Sequence, residues 1–207
     1  MKSITAKVLV IGAQGVGKSS LTFRLAQKAF NDRVTPTIGA SYYETIVEIG
    51  DHAIKLQLWD TAGQERFKAM IPMYYRNSSA VLLVYDVTDL DSFAEAKKWE
   101  EELRRYDNKK LVIYVVGNKY DIPPNLREVD QKVADSFASE IGGHFREVSA
   151  LSNHGIDEMT TDLCIKLIHR YQNISIRHNE TTKKDLVFDQ VDLKRPTIGQ
   201  NHSCCTL

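Results

Sequence analysis

Along the chain, short apolar runs of strand length alternate with longer stretches whose apolar positions recur at helical period. That alternation predicts βα units around a largely parallel sheet. The strands expected are Ile4 to Ile11, Val47 to Ile49, Ile54 to Trp59, Ala80 to Tyr85, Leu111 to Val116 and His144 to Val148. Only Gly50-Asp51-His52 separates the second from the third, and a Gly-containing turn of that length reads as a hairpin. One antiparallel strand therefore joins an otherwise parallel, six-stranded sheet, with helices on both faces.

Helical periodicity covers Lys18 to Lys28, Ser92 to Tyr106, Gln131 to Ile141 and Ile156 to Tyr171. In the last, Ile156, Met159, Leu163, Leu167 and Tyr171 form one apolar stripe, with Lys166 and Arg170 outside it. Beyond Tyr171 the pattern stops, polar residues dominate, and Pro196 and Gly199 interrupt any helix. The expected organisation is one α/β domain over residues 1–172 and a flexible tail over 173–207.

Composition removes several classes of function. The 207 residues and 43% hydrophobic content suit one globular domain. Lys and Arg total 27 and so do Asp and Glu, so the basic footprint of a nucleic-acid binder is missing. Three cysteines cannot build a disulfide framework and fit a reducing compartment. No apolar run approaches the ~20 residues needed to span a bilayer. The start of the chain shows neither a secretory apolar region nor the Gly that myristoylation requires.

The candidate chemistry begins at Gly12-Ala-Gln-Gly-Val-Gly-Lys18-Ser19, which matches G-x-x-x-x-G-K-[ST] between an apolar strand and a helix. Such a P-loop turns successive backbone N–H groups inward around phosphate, here from Gly15, Val16 and Gly17 through Lys18, Ser19 and Ser20. Lys18 reaches the terminal phosphates and the Ser19 hydroxyl can ligate Mg²⁺. Asn118-Lys119-Tyr120-Asp121 follows the strand that starts at Leu111 and so falls at the carboxyl edge of the sheet, where α/β folds bind ligands. A carboxylate there can accept from guanine N1–H and the exocyclic amine, a donor pair that adenine lacks. Guanine is the favoured base.

These motifs, with Trp59-Asp60-Thr61-Ala62-Gly63-Gln64-Glu65-Arg66-Phe67 and Thr35-Pro36-Thr37-Ile38-Gly39, resemble the small GTPases of the Ras superfamily. Five segments resemble those that set the Rab family apart: Ile38 to Tyr42, Lys55 to Trp59, Arg66 to Ile71, Tyr74 to Ser78 and Leu83 to Thr88. The resemblance covers residues 4–172, and Ile71 to Arg76 with Asp91-Ser92-Phe93 is most similar to the early-endosomal branch.

The resemblance implies specific roles. Ser19 and Thr37 would ligate Mg²⁺ directly and Asp60 through water, an all-oxygen set suited to that ion. Thr37 and the Gly63 amide would also touch the γ-phosphate of GTP, so that its loss releases both switch loops. Gln64 would orient the attacking water as the catalytic residue. No arginine of the motifs supplies positive charge to the transition state, so unaided hydrolysis is expected on the order of 10⁻⁴ s⁻¹. Phe30 would pack on one face of guanine and the stem of Lys119 on the other. Ser149-Ala150 matches the last base motif, in which the Ala150 amide faces guanine O6. Ile38, Tyr42, Trp59 and Tyr74 would form the effector surface. The partners implied are an exchange factor, a GTPase-activating protein, a GDP-dissociation inhibitor, an escort protein and GTP-dependent effectors.

Three positions depart from the pattern. Gln14 stands near the γ-phosphate where relatives carry a smaller residue, Leu151 replaces the usual Lys, and Tyr42 stands where Phe is frequent. Cys164 and Trp99 read as core packing. The ending Cys204-Cys205-Thr206-Leu207 reads alone as a prenylation box modifying Cys204, whereas the Rab resemblance implies lipid on both Cys204 and Cys205. That places the protein on the cytoplasmic face of an intracellular membrane, cycling with the cytosol. The rival readings are a GTP-bound docking scaffold with negligible turnover and a metabolic P-loop kinase or ATPase.

Overall fold

In this computed structural model residues 1–30, 37, 39–63, 74–106 and 111–188 are described, 174–188 by their backbone alone. Six strands, β1 (Lys2–Ile11), β2 (Ala40–Ile49), β3 (His52–Thr61), β4 (Ala80–Asp86), β5 (Val112–Asn118) and β6 (His144–Glu147), form one sheet. Its order is β2-β3-β1-β4-β5-β6, and only the β2–β3 pairing is antiparallel. The expected fold class is therefore the observed one. The turn is shorter than the sequence suggests. His52 already pairs with Ile49, leaving Gly50-Asp51 as a two-residue connection in which Gly50 supplies φ +58.

Four long helices follow the strands: α1 (Lys18–Gln27), α2 (Leu90–Tyr106), α3 (Gln131–Glu140) and α4 (Ile156–Phe188). Alternation along β1 sends Val8 and Val10 to one face of the sheet, and Leu9 and Ile11 to the other. On the first face they meet Leu21 and Leu25 of α1 and Met159, Leu163 and Leu167 of α4. On the second they meet Phe93, Trp99 and Leu103 of α2 and Ala134 and Ala138 of α3. Every residue of β4 is buried, as expected of a parallel strand covered on both sides. Cys164 and Trp99 are core residues, and burial pushes the Cys164 thiol up to about 12.

Two elements differ from the pattern-based expectation. β2 runs ten residues, not three, because small polar Ser41 and Thr45 lie on its inner face while Tyr42 and Ile46 are exposed, which disguises the alternation. α4 continues to Phe188, past the loss of its apolar stripe at Tyr171, since residues 172–188 contain neither Gly nor Pro to stop it. By backbone contacts Met1–Arg170 form one compact unit and Tyr171–Leu207 a second. No helix of the described residues is long and apolar enough to cross a membrane.

Candidate nucleotide site

The carboxyl ends of β1, β3, β5 and β6 open on one edge, where the motif residues collect. At the end of β1, a Cβ on Gly12 would collide with the Val84 carbonyl of β4, so only glycine lets the loop leave the sheet there. Lys18 opens α1 and is 5% exposed, and its ammonium donates to the Ala13 carbonyl at 2.6 Å across the loop. Burial lowers Lys18 to about 8, against the pull of Asp60 and then Glu95. An ammonium so poorly hydrated gains strongly from an anionic phosphate. Gly63, at the end of the β3 segment, abuts the same loop. A side chain there would run into the Lys18 ammonium and stand 2.7 Å from the Ala13 carbonyl.

Three oxygens converge beside Lys18. Ser19 Oγ donates to Asp60 Oδ2 at 2.6 Å, Thr37 Oγ1 donates to the same oxygen at 3.2 Å, and the two hydroxyls are 2.9 Å apart. Asp60 is 1% exposed, and its Oδ1 has no hydrogen-bond partner among the described residues. Burial pushes this carboxyl up, opposed by Ser19, Lys18 and Thr37. A dry carboxylate with an unused oxygen beside two hydroxyls is an all-oxygen donor set, and it fits Mg²⁺.

The base end is assembled by Asn118. Its amide donates to the Val16 carbonyl at 2.9 Å and its Oδ1 accepts from the Ala150 amide at 3.1 Å, so one buried side chain ties the P-loop to the loop after β6. Ser149 donates through Oγ to Asp121 Oδ1 and accepts from the Ser152 amide at 3.0 Å. Asp121 therefore presents its carboxylate from a fixed position, with Oδ2 left for a ligand. Lys119 reaches Asp86 Oδ2 at 2.5 Å, and Tyr120 stacks on His154 with ring centroids 4.4 Å apart. Phe30 is 38% exposed, not a core aromatic, and its ring faces the Arg24 guanidinium at 5.7 Å.

A scan for family models matches the Ras family over residues 7–169. Ras-related protein Rab-21 of Mus musculus is 41% identical over 171 residues, covering 83% of this chain and 77% of its own. Ras-related protein Rab-31 of Homo sapiens is 37% identical over 201 residues, covering 96% of each chain. The chain is a Rab-family small GTPase. It binds guanine nucleotide and belongs to vesicle trafficking, in association with endomembranes.

Within this GTPase the structure brings together Gly15, Val16, Gly17, Lys18, Ser19, Ser20, Thr37, Asp60 and Gly63 at the phosphate end, and Asn118, Lys119, Asp121, Ser149 and Ala150 at the base end. Tyr42, Trp59 and Tyr74 form a continuous aromatic row, with centroids 5.3 and 6.1 Å apart and Lys7 Nζ 4.7 Å over the Trp59 ring. Gln64, Ile38, Cys204 and Cys205 lie outside the described residues. Motif reading did not find His154 or Arg24, and it covered Asp86 only within the Leu83 to Thr88 segment, with no site role. Asp86 closes β4 and takes Lys119 and Thr88, yet no spacing rule links it to a motif some thirty residues later.

Proposed function

We propose that this Rab is a nucleotide-timed switch whose GTP-bound form recruits effectors to a membrane, on the endosomal branch that its Ile71 to Arg76 segment resembles. One observation carries the reading. Thr37 bonds Ser19 and Asp60 at the phosphate end, and three residues later β2 begins, carrying Tyr42 of the aromatic row. The Ala62 amide donates to the Gly39 carbonyl at 2.8 Å, so both loops that lead from the phosphate edge are tied together. Loss of the γ-phosphate removes a ligand from Thr37 and Gly63 at once, and the change passes into the surface at Tyr42, Trp59 and Tyr74.

In hydrolysis Lys18 neutralises developing charge on the phosphates, the P-loop amides hold them in line, and Gln64 orients the water. Ser19 and Thr37 would hold Mg²⁺ directly and Asp60 would hold it through water, and the ion would supply positive charge to the phosphates. Turnover is slow without an activating protein that contributes an arginine. An exchange factor, a GDP-dissociation inhibitor and an escort protein complete the cycle, and prenyl groups on Cys204 and Cys205 hold the protein on the cytoplasmic face of the membrane.

A scaffold with negligible turnover is the second reading, which Gln64 and Thr37 argue against and which Gln14, exposed beside Gly15 in the P-loop, leaves open. Single-turnover hydrolysis of GTP separates the two. The switch reading expects a slow wild type, a Gln64→Leu variant at least roughly tenfold slower, and no comparable use of ATP. A wild-type rate no higher than that of Gln64→Leu, with Gln14→Ser raising it, would instead support the scaffold.

A further inference from the structure

We infer that Arg24 is a positioning residue for the base subsite, holding the Ala150 loop from below and the Phe30 ring from the side. The inference rests on the reading that Ala150 and Phe30 contact guanine. Arg24 lies in the last turn of α1, six residues after Lys18. Its Nε donates to the Ala150 carbonyl at 2.9 Å and its Nη2 to the Leu151 carbonyl at 2.8 Å. The same guanidinium faces Phe30 at 5.7 Å.

The planar fork of Arg suits two successive carbonyls, and the remaining π-face is free to meet an aromatic ring. The peptide plane between Ala150 and Leu151 is thereby fixed from one side, while Asn118 Oδ1 accepts the Ala150 amide from another. That amide now donates to Asn118 Oδ1, so to face O6 it must share or leave that bond, and Arg24 keeps the two carbonyls after it in place while it does so. Leu151 strengthens the case. It is 55% exposed, and the atom of it that the structure ties down is the backbone carbonyl, which Arg24 holds. One helix thus serves both ends of the ligand, with Lys18 and Ser19 at its first turn and Arg24 at its last.

The test is competition against ribose-labelled fluorescent GDP on the full chain, for wild type, Arg24→Ala and Arg24→Lys. The competitors are GDP, ADP and 6-thioguanosine diphosphate, which keeps both donors for Asp121 but puts a weak sulfur acceptor in place of O6. Wild type prefers GDP to ADP, and failure of that preference would sink the base reading itself, independently of Arg24. Arg24→Ala is expected to weaken GDP about tenfold, about 1.4 kcal/mol, and 6-thioguanosine diphosphate less than threefold, so the preference for O6 shrinks. Arg24→Lys keeps the charge, cannot serve both carbonyls from one plane, and recovers less than half of the loss. The proposal is overturned if Arg24→Ala binds GDP within twofold of wild type, if both guanine ligands weaken equally, or if Arg24→Lys behaves as wild type. Should Arg24→Ala fail to fold, the Lys variant alone decides by the same ratio.

Discussion

Lys119 adopts φ +69, a left-handed conformation that a residue with a long side chain seldom takes, and two contacts hold it there. Its ammonium reaches Asp86 at 2.5 Å, and the next amide, Tyr120 N–H, donates to the Val148 carbonyl at 3.0 Å. Burial pushes Asp86 up, but hydrogen bonds from Lys119 and Thr88 outweigh it, and the carboxyl sits below its ordinary range. A carboxyl depressed in the fold stabilises it fully above its unfolded value near ~3.9 and loses that contribution as pH falls through the folded value. In urea titrations the gap in midpoint between wild type and Asp86→Asn should hold constant from pH 7 to 5 and close only below about pH 4. A gap that changes around neutrality would assign the effect to another group.

At the scale of the element, the ends of helices and strands carry the discrepancies. α2 begins at Leu90 because Asp89 Oδ1 accepts from the Ser92 amide at 3.1 Å, and α3 begins at Gln131 because Asp130 accepts from the Lys132 amide at 2.7 Å. Among the residues whose side chains are described, the apolar ones that α4 places in the core run from Ile156 to Ile168 and precede Tyr171. A chain cut after residue 172 should therefore keep the unfolding midpoint of the full chain while losing helical ellipticity for about sixteen residues. A fall in midpoint beyond 3 °C would show that the later turns support the domain. What was legible in the sequence follows the same division. Buried runs such as Ala80 to Tyr85 announce themselves because water is excluded from both faces. β2 hides because at a sheet edge Tyr42 and Ile46 are tolerated outside, and Ser41 and Thr45 inside. The residues of the nucleotide motifs were readable by spacing. Arg24 and Asp86 act through other residues across some 126 and 33 positions of chain, and no local pattern encodes such a contact.

For the whole molecule, zero net charge and a tail with five basic residues (Arg177, Lys183, Lys184, Lys194, Arg195) against four acidic (Glu180, Asp185, Asp189, Asp192) leave little electrostatic hold on an anionic leaflet. The proposed membrane cycle therefore expects attachment through lipid on both terminal cysteines, since one chain gives only marginal binding. Cells expressing a Cys204→Ser, Cys205→Ser double variant should show the protein wholly in the soluble fraction. The wild type should stay on membranes through a high-salt wash, and release by salt would place the attachment in charge.

The central position of β1 has a consequence for how the protein comes to exist. It is paired along Lys2 to Val10 with β3, some fifty residues later, and along Val8 to Ile11 with β4, some seventy residues later. On the ribosome the first strand made has no partner until the β2–β3 hairpin, whose contacts are local, has emerged. The Val84 carbonyl that abuts Gly12 arrives later still, and Asn118 and Ala150 after that. Nascent chains should therefore acquire nucleotide only once the loop after β6 has emerged, which makes the guanine ligand a late check on the folding of this domain.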